Sequence, residues 1–198
     1  ALYINFFHDN SRKRIVWGST PLINNHYWSK AMREGGYKSE TYVTHIYSKI
    51  NNSSDFDKVL DQKYRFLPSF LKPYFVFLFS LFKYDIFFIS FDGFFLQETP
   101  IRFFQAFYLK LARKKIVVIP YGGDAYVSRN IKSLSLAHAL IYSYPLTSLN
   151  QVAVLKKVNY WTKNADAIIP GFMYGDGIGR WDTLTPSPLS LDLKYWKK

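Results

Sequence analysis

"KIVVIPYGGDAY" occupies residues 115–126, and the class of fold turns on how it is read. Ile116, Val117, Val118 and Ile119 are all β-branched and follow one another without a polar interruption. A strand with one wet face alternates apolar and polar residues, so an unbroken run marks a strand covered on both faces. Pro120, Gly122 and Gly123 then end the strand and turn the chain, with Asp124 closing the loop. Four other runs read as strands: "RIVWG" (14–18), "ETYVTHI" (40–46), "DIFFISF" (85–91) and "DAIIPG" (166–171).

Helical patterns fill the intervals. Residues 26–35 place Tyr27, Trp28, Ala31 and Met32 on one side, and Asn24 and Asn25 stand where caps belong. The clearest helix covers 99–115, with Thr99 as N-cap, Pro100 at the first helical position and Phe103, Phe104, Phe107, Tyr108 and Leu111 as a core-facing stripe. Residues 130–142 and 148–163 follow, the second capped by Ser148 and burying Val154, Val158 and Trp161. "NNSSDFD" (51–57) reads as loop. Strands alternating with long crossovers predict an α/β fold, a Rossmann-like parallel sheet flanked by helices on both faces. Ligands bind such sheets outside the carboxyl ends of the strands, so the loops after residues 18, 91 and 120 are expected on one edge.

The chain has 198 residues, a 48% hydrophobic share and a net charge of +12. That length buries one good core, and the charge favours an anionic partner: a phosphorylated ligand, nucleic acid or acidic lipid headgroups. Between residues 99 and 165 ten Lys and Arg face a single acid, Asp124. The acid either caps the strand exit or meets a ligand, and its basic neighbours in sequence favour ionisation. Asp92 and Gly93 form a turn after a strand or a rim of the cleft. There is no Cys and the four His lack metal-ligand spacing, so neither disulfide nor metal site is expected.

The dinucleotide-binding fingerprint, the Walker phosphate loop and the nucleophile elbow are all missing, and no resident cofactor is expected. No nucleic-acid recognition signature appears. Residues 66–82, "FLPSFLKPYFVFLFSLF", leave two readings open: a helix packed on the sheet, or an interfacial patch whose Lys72 and Lys83 meet lipid phosphates. Their apolar run is too short to span a bilayer.

Taken in order, "KRIVWGSTPLINNHYWSKAMREGGYKSET", "YDIFFISFDGFFL", "KIVVIPYGGDAY", "NADAIIPG" and "LSLDLKYW" resemble the N-terminal half of a GT-B glycosyltransferase of the retaining, glycogen-synthase-like superfamily. The resemblance runs from residue 13 to 196. It implies an acceptor-binding domain over 1–185, the start of an interdomain linker over 186–198, and a donor half beyond the chain that holds the sugar nucleotide. The implied location is cytoplasmic, peripheral at the inner face of a membrane, with a glycan or glycolipid acceptor and an anionic membrane surface as partners. Gly18 and Ser19 match the glycine loop that faces the donor diphosphate, an anion site built from backbone N–H groups. Tyr121, Gly122, Gly123 and Asp124 match a loop that commonly reads His-Gly-Ser-Asp. Tyr121 and Asp124 are thereby the catalytic candidates, and Gly18, Ser19, Asn24, Asp92, Gly93, Gly122 and Gly123 the substrate-binding ones. Tyr121 departs from the usual histidine: a phenol with a reference pKa of about 10 hydrogen-bonds where a histidine could also move a proton. The rival from another class is a non-catalytic basic module for nucleic acid or a phosphorylated ligand.

Overall fold

The computed structural model of the protein describes residues 13–47, 49–170 and 175–183. The tail "LSLDLKYW" and residues 186–198, where the start of a linker is expected, lie outside them. Strand β1 (Arg14–Trp17) leads into helix α1 (Ile23–Glu34) and β2 (Lys38–Val43), followed by β3 (Lys58–Val59), α2 (Leu60–Lys63), α3 (Lys72–Lys83) and β4 (Ile86–Ile89). Then come α4 (Gln105–Leu111), β5 (Lys115–Val118), α5 (Leu134–Ser143), α6 (Pro145–Leu149), α7 (Gln151–Asn164), β6 (Ala167–Ile168) and α8 (Gly175–Ile178). The six strands make one sheet in the order β3-β2-β1-β4-β5-β6, every pair parallel. This is the predicted α/β, Rossmann-like arrangement, with one strand more than the sequence suggested. Two residues, Lys58 and Val59, are too short a run to carry a periodic signal.

The period of two along each strand divides the core. Val16, Phe87, Ile89, Ile116, Val118 and Ile168 join the large cluster that also takes Val76 and Phe77 of α3, Leu109 of α4 and Val158 and Trp161 of α7. Ile15, Trp17 and Ile119 point the other way, against Trp28 and Met32 of α1. Trp17 stacks on Phe88 at 3.9 Å between ring centroids. The unbroken apolar run in β5 is thus explained: alternate residues serve opposite faces.

Three helix starts differ from expectation. Helix α1 begins with Leu22 as N-cap, so Asn24 and Asn25 sit inside its first turn, where the Asn25 amide donates to the Thr20 carbonyl at 3.2 Å. The helix expected from Thr99 starts instead as a tight 3-10 turn at Arg102–Phe104 before α4. The Thr99 hydroxyl donates to the Leu96 carbonyl at 2.8 Å and caps nothing. Pro145 opens the separate helix α6, and Ser148 lies within it, its hydroxyl donating to the Tyr144 carbonyl at 3.0 Å. Most of the expected stripe on α4 also faces the wrong way: Phe103, Phe104, Phe107 and Leu111 are exposed and only Tyr108 packs on the core, while Gln105, Ala106 and Leu109 are buried.

Charges along the amino-terminal edge of the sheet are locked together. Asp85, at the entry to β4, accepts from the Arg14 backbone N–H at 3.0 Å and from its guanidinium at 3.2 Å, with Lys114 3.6 Å away. Asp166, at the entry to β6, repeats the device on β5, accepting from the Ile116 N–H at 2.9 Å and from Lys115 at 2.8 Å. Glu40 of β2 accepts from Lys58, from Lys83 at 2.8 Å and from the Tyr84 hydroxyl at 2.6 Å. Burial alone would raise the Glu40 carboxyl, but the bonds from Lys58, Lys83 and Tyr84 outweigh it and hold the group down at about 2.

Candidate functional site

The opposite edge is built differently. Strands β1, β4 and β5 all end there, and their exits are tied to one another: the Gly18 N–H donates to the Phe88 carbonyl at 3.1 Å and the Ile119 N–H to the Ile89 carbonyl at 2.8 Å. The Thr20 and Ser90 hydroxyls meet at 3.3 Å, and the Ser19 hydroxyl donates to the Gln97 amide oxygen at 3.4 Å. Gly18 is where the sheet approaches most closely, since a Cβ there would collide with the Tyr42 carbonyl oxygen.

Asp124 holds the two central exits. One carboxylate oxygen accepts from the N–H groups of Tyr121 at 3.0 Å and Gly122 at 2.9 Å, and the other accepts from Phe91 N–H at 3.0 Å. Turning the β5 exit back on its own aspartate is a known economy of short polar side chains, and here the same group crosses to the β4 exit. The side chain is buried. Burial, and then the charge of Asp92, push its carboxyl up to about 7, against the three N–H bonds that favour the ionised form. None of the basic residues counted along the sequence bonds to Asp124, and burial with the Asp92 charge raises its carboxyl, which corrects the expectation that those residues ease its ionisation.

Asp92 is the charged centre of the edge. It sits in a turn closed by the Gly93 N–H on the Ser90 carbonyl at 2.9 Å. Its carboxylate accepts from the Tyr121 hydroxyl at 2.5 Å and from the Lys157 ammonium at 2.5 Å, so the β4 exit, the β5 exit and α7 contribute one group each. Gly93 has φ +95°, and a Cβ on it would stand 2.9 Å from the Trp161 ring and 3.0 Å from the Gln105 amide nitrogen. Only glycine fits that turn, and the turn aims Asp92. Burial, followed by the Asp92 charge, pushes the Tyr121 phenol well above its ordinary range. Tyr121 therefore remains a donor at any physiological pH, as its departure from histidine suggested.

A cavity of about 970 Å³ opens beside these groups, lined among others by Asp92, Gln97, Tyr121, Gly123, Asp124 and Lys157. Its outer wall comes from Arg102 and Phe103 ahead of α4 and from Tyr144, Leu146 and Lys156 of the α6–α7 region. Of the residues nominated from sequence, Asp92, Tyr121, Gly123 and Asp124 line the cavity. Gly93 and Gly122 shape the turns that carry them, Gly18 and Ser19 lie in the adjoining β1 exit, and Asn24 stands apart in the first turn of α1. Lys157 and Gln97 escaped the sequence reading. In a helix with Val154, Val158 and Trp161 on its buried face, a lysine beside Val158 resembles any solvated residue until the fold brings Asp92 to it.

Among the described residues no group of side chains could hold a metal ion. No protein-family model, curated protein or solved structure matches the chain.

Proposed function

We propose that this chain is the acceptor-binding half of a glycosyltransferase that moves a sugar from a sugar nucleotide to a glycan or lipid-linked acceptor. The observation that carries the reading is the meeting of Asp92, Tyr121 and Lys157, from three separate elements, beside a cavity outside the carboxyl ends of parallel strands. Sugar hydroxyls both donate and accept, and a carboxylate set between a phenol and an ammonium answers both. Each Asp92 oxygen has given one lone pair to a protein donor, which leaves another for a ligand hydroxyl. Phe103 and Tyr144 line the same space. Lys157, Lys156 and Arg102 suit a phosphate-bearing acceptor or the charge developing on a departing diphosphate.

In this reading the acceptor oxygen bonds to the anomeric carbon as the bond to the departing nucleoside diphosphate breaks, and the hydroxyl proton passes to the Asp92 carboxylate. Tyr121 is held protonated and orients the acceptor. Asp124, with both oxygens committed to backbone, is a positioning residue, and Asp92 is the carboxylate with lone pairs to spare. The donor half would close over this edge to assemble the reacting groups.

The test is a transfer assay on the chain carried to the end of its reading frame, with a panel of nucleoside diphosphate sugars and mass analysis of the products. Lys157→Ala and Asp92→Asn are expected to lower transfer by roughly a hundredfold. If no sugar nucleotide raises the melting temperature and no sugar is transferred, the reading fails. The absence of acids from α4 and α7 favours, as second reading, a basic module for phosphorylated ligands, and salt-sensitive binding of such ligands without transfer would select it.

A further inference from the structure

Helices α3 and α4 are neighbours on one face of the sheet, joined through the rings of Phe77 and Tyr108, whose centroids lie 6.4 Å apart. Each helix buries one side beneath it and turns a second apolar stripe outward. On α3 that stripe is Phe75, Leu78, Phe79 and Phe82, at the i, i+3, i+4, i+7 spacing of a single helical face. On the second helix and its leading 3-10 turn it is Phe104, Phe107 and Leu111, each more than half exposed at 54%, 58% and 64%. Helices apolar all round occur where both sides meet something other than water. Phe66, 76% exposed, adjoins this stripe through Tyr64, whose ring lies 6.0 Å from Phe66 and 5.3 Å from Phe75.

Cations dominate the charge around this surface, and the acids beside α3, Asp61 and Glu40, are paired with its lysines. Helices α3, α4 and α7 contain no Asp or Glu. Exposed Lys63 and Arg65 precede Phe66, and exposed Arg102, Lys110 and Arg113 alternate with the apolar residues of the α4 stripe. Lys72 and Lys83, the cations expected from sequence to meet lipid, are turned to Asp61 at 3.7 Å and to Glu40 at 2.8 Å, so other residues take that place. We propose that the outward face of α3 and α4 docks on the surface of an anionic lipid bilayer, its rings in the acyl boundary and Arg102, Lys110 and Arg113 among the phosphates. A second copy of this chain is a poor occupant, because a twofold contact would set the exposed cations Arg102, Lys110 and Arg113 against their own copies. A bilayer supplies apolar depth and negative charge together.

Phe103 gives the docking an orientation. It lines the cavity and stands 48% exposed at the start of the α4 stripe, so the cavity mouth would open at headgroup level. The inference does not depend on sugar transfer, because the surface and its charge would bind lipid whatever the cavity holds.

The experiment is co-sedimentation of the full chain with vesicles of phosphatidylcholine alone and with phosphatidylglycerol added, each at low and high salt. Pelleting is expected with the anionic vesicles only, weakened by salt. The double variant Phe79→Glu with Phe107→Glu, both outside the core, is expected to bind roughly tenfold less or worse while melting at an unchanged temperature. Leu134→Glu, an exposed apolar residue on α5, is the control and should bind as the native chain does. Equal pelleting with neutral vesicles, or none with either, overturns the proposal. So does self-association in lipid-free buffer that the double variant abolishes, which would identify a second copy as the occupant.

Discussion

The two edges of the sheet use acids in opposite ways. At the amino-terminal edge Glu40, Asp85 and Asp166 each meet lysine or arginine, and two of them also take an N–H near the start of a neighbouring strand. At the carboxyl edge Asp124 binds only backbone, while Asp92 binds a phenol and one ammonium beside an open cavity. The first edge spends its charge on joining strands. The second uses one acid to fix the loops and leaves another with unspent capacity. Function in a parallel sheet follows from that division, because a ligand can be recognised only by groups the fold has not already consumed.

The sharpest way to break the comparison is Asp124→Ala. Three buried N–H groups would lose their acceptor, at roughly 1–3 kcal/mol for each one left unsatisfied and not rescued by water. We expect a loss of about 3 kcal/mol, which lowers the melting temperature by roughly 6–12 °C in a chain of this size. A loss below that of any single amino-edge substitution would mean that the loops hold themselves. Gly93→Ala comes next, at about 2 kcal/mol, combining a positive φ with a Cβ 2.9 Å from the Trp161 ring. Denaturant unfolding measures both.

On the amino edge, Glu40→Gln is expected to cost about 1 kcal/mol near neutral pH, a modest figure because the pair is partly screened by solvent. The folded carboxyl titrates at about 2 against an ordinary 4.5, so its contribution is present above about 4.5 and is lost as pH falls toward 2. The variant should flatten the acid limb of the stability profile. If it does not, the cluster is decorative. The smallest stability effect belongs to Tyr121→Phe, within about 0.5 kcal/mol, because its hydroxyl partners an accessible carboxylate. Its expected effect is on the acceptor KM in the transfer assay.

Sequence periodicity located the β1, β2, β4, β5 and β6 segments because each carries a run of β-branched or aromatic residues long enough to register. It missed β3, whose two residues join the sheet only because Tyr42 and Val43 are there to pair with them. On α4 the stripe was found and its direction misjudged: apolar spacing identifies a face but does not say whether protein lies against it. Site residues divide in the same manner. Asp92, Tyr121 and Asp124 stand in loops after strands, where local sequence marks an edge. Lys157 is 65 residues from Asp92, and only the tertiary fold makes them partners.

The strand order also has a consequence for how the chain is made. Central β1 pairs with β4, and Arg14 meets an aspartate 71 residues further on. At synthesis rates of roughly 5–20 residues per second, β1 waits about 4–14 s for that partner to emerge. Once β2 has been made, Val16 and Trp17 have it on one side and an open strand edge on the other, while the Phe-rich α3 is still arriving. Slowing or pausing translation between residues 43 and 86 would lengthen the exposure, and raising chaperone occupancy in that window would shorten its cost.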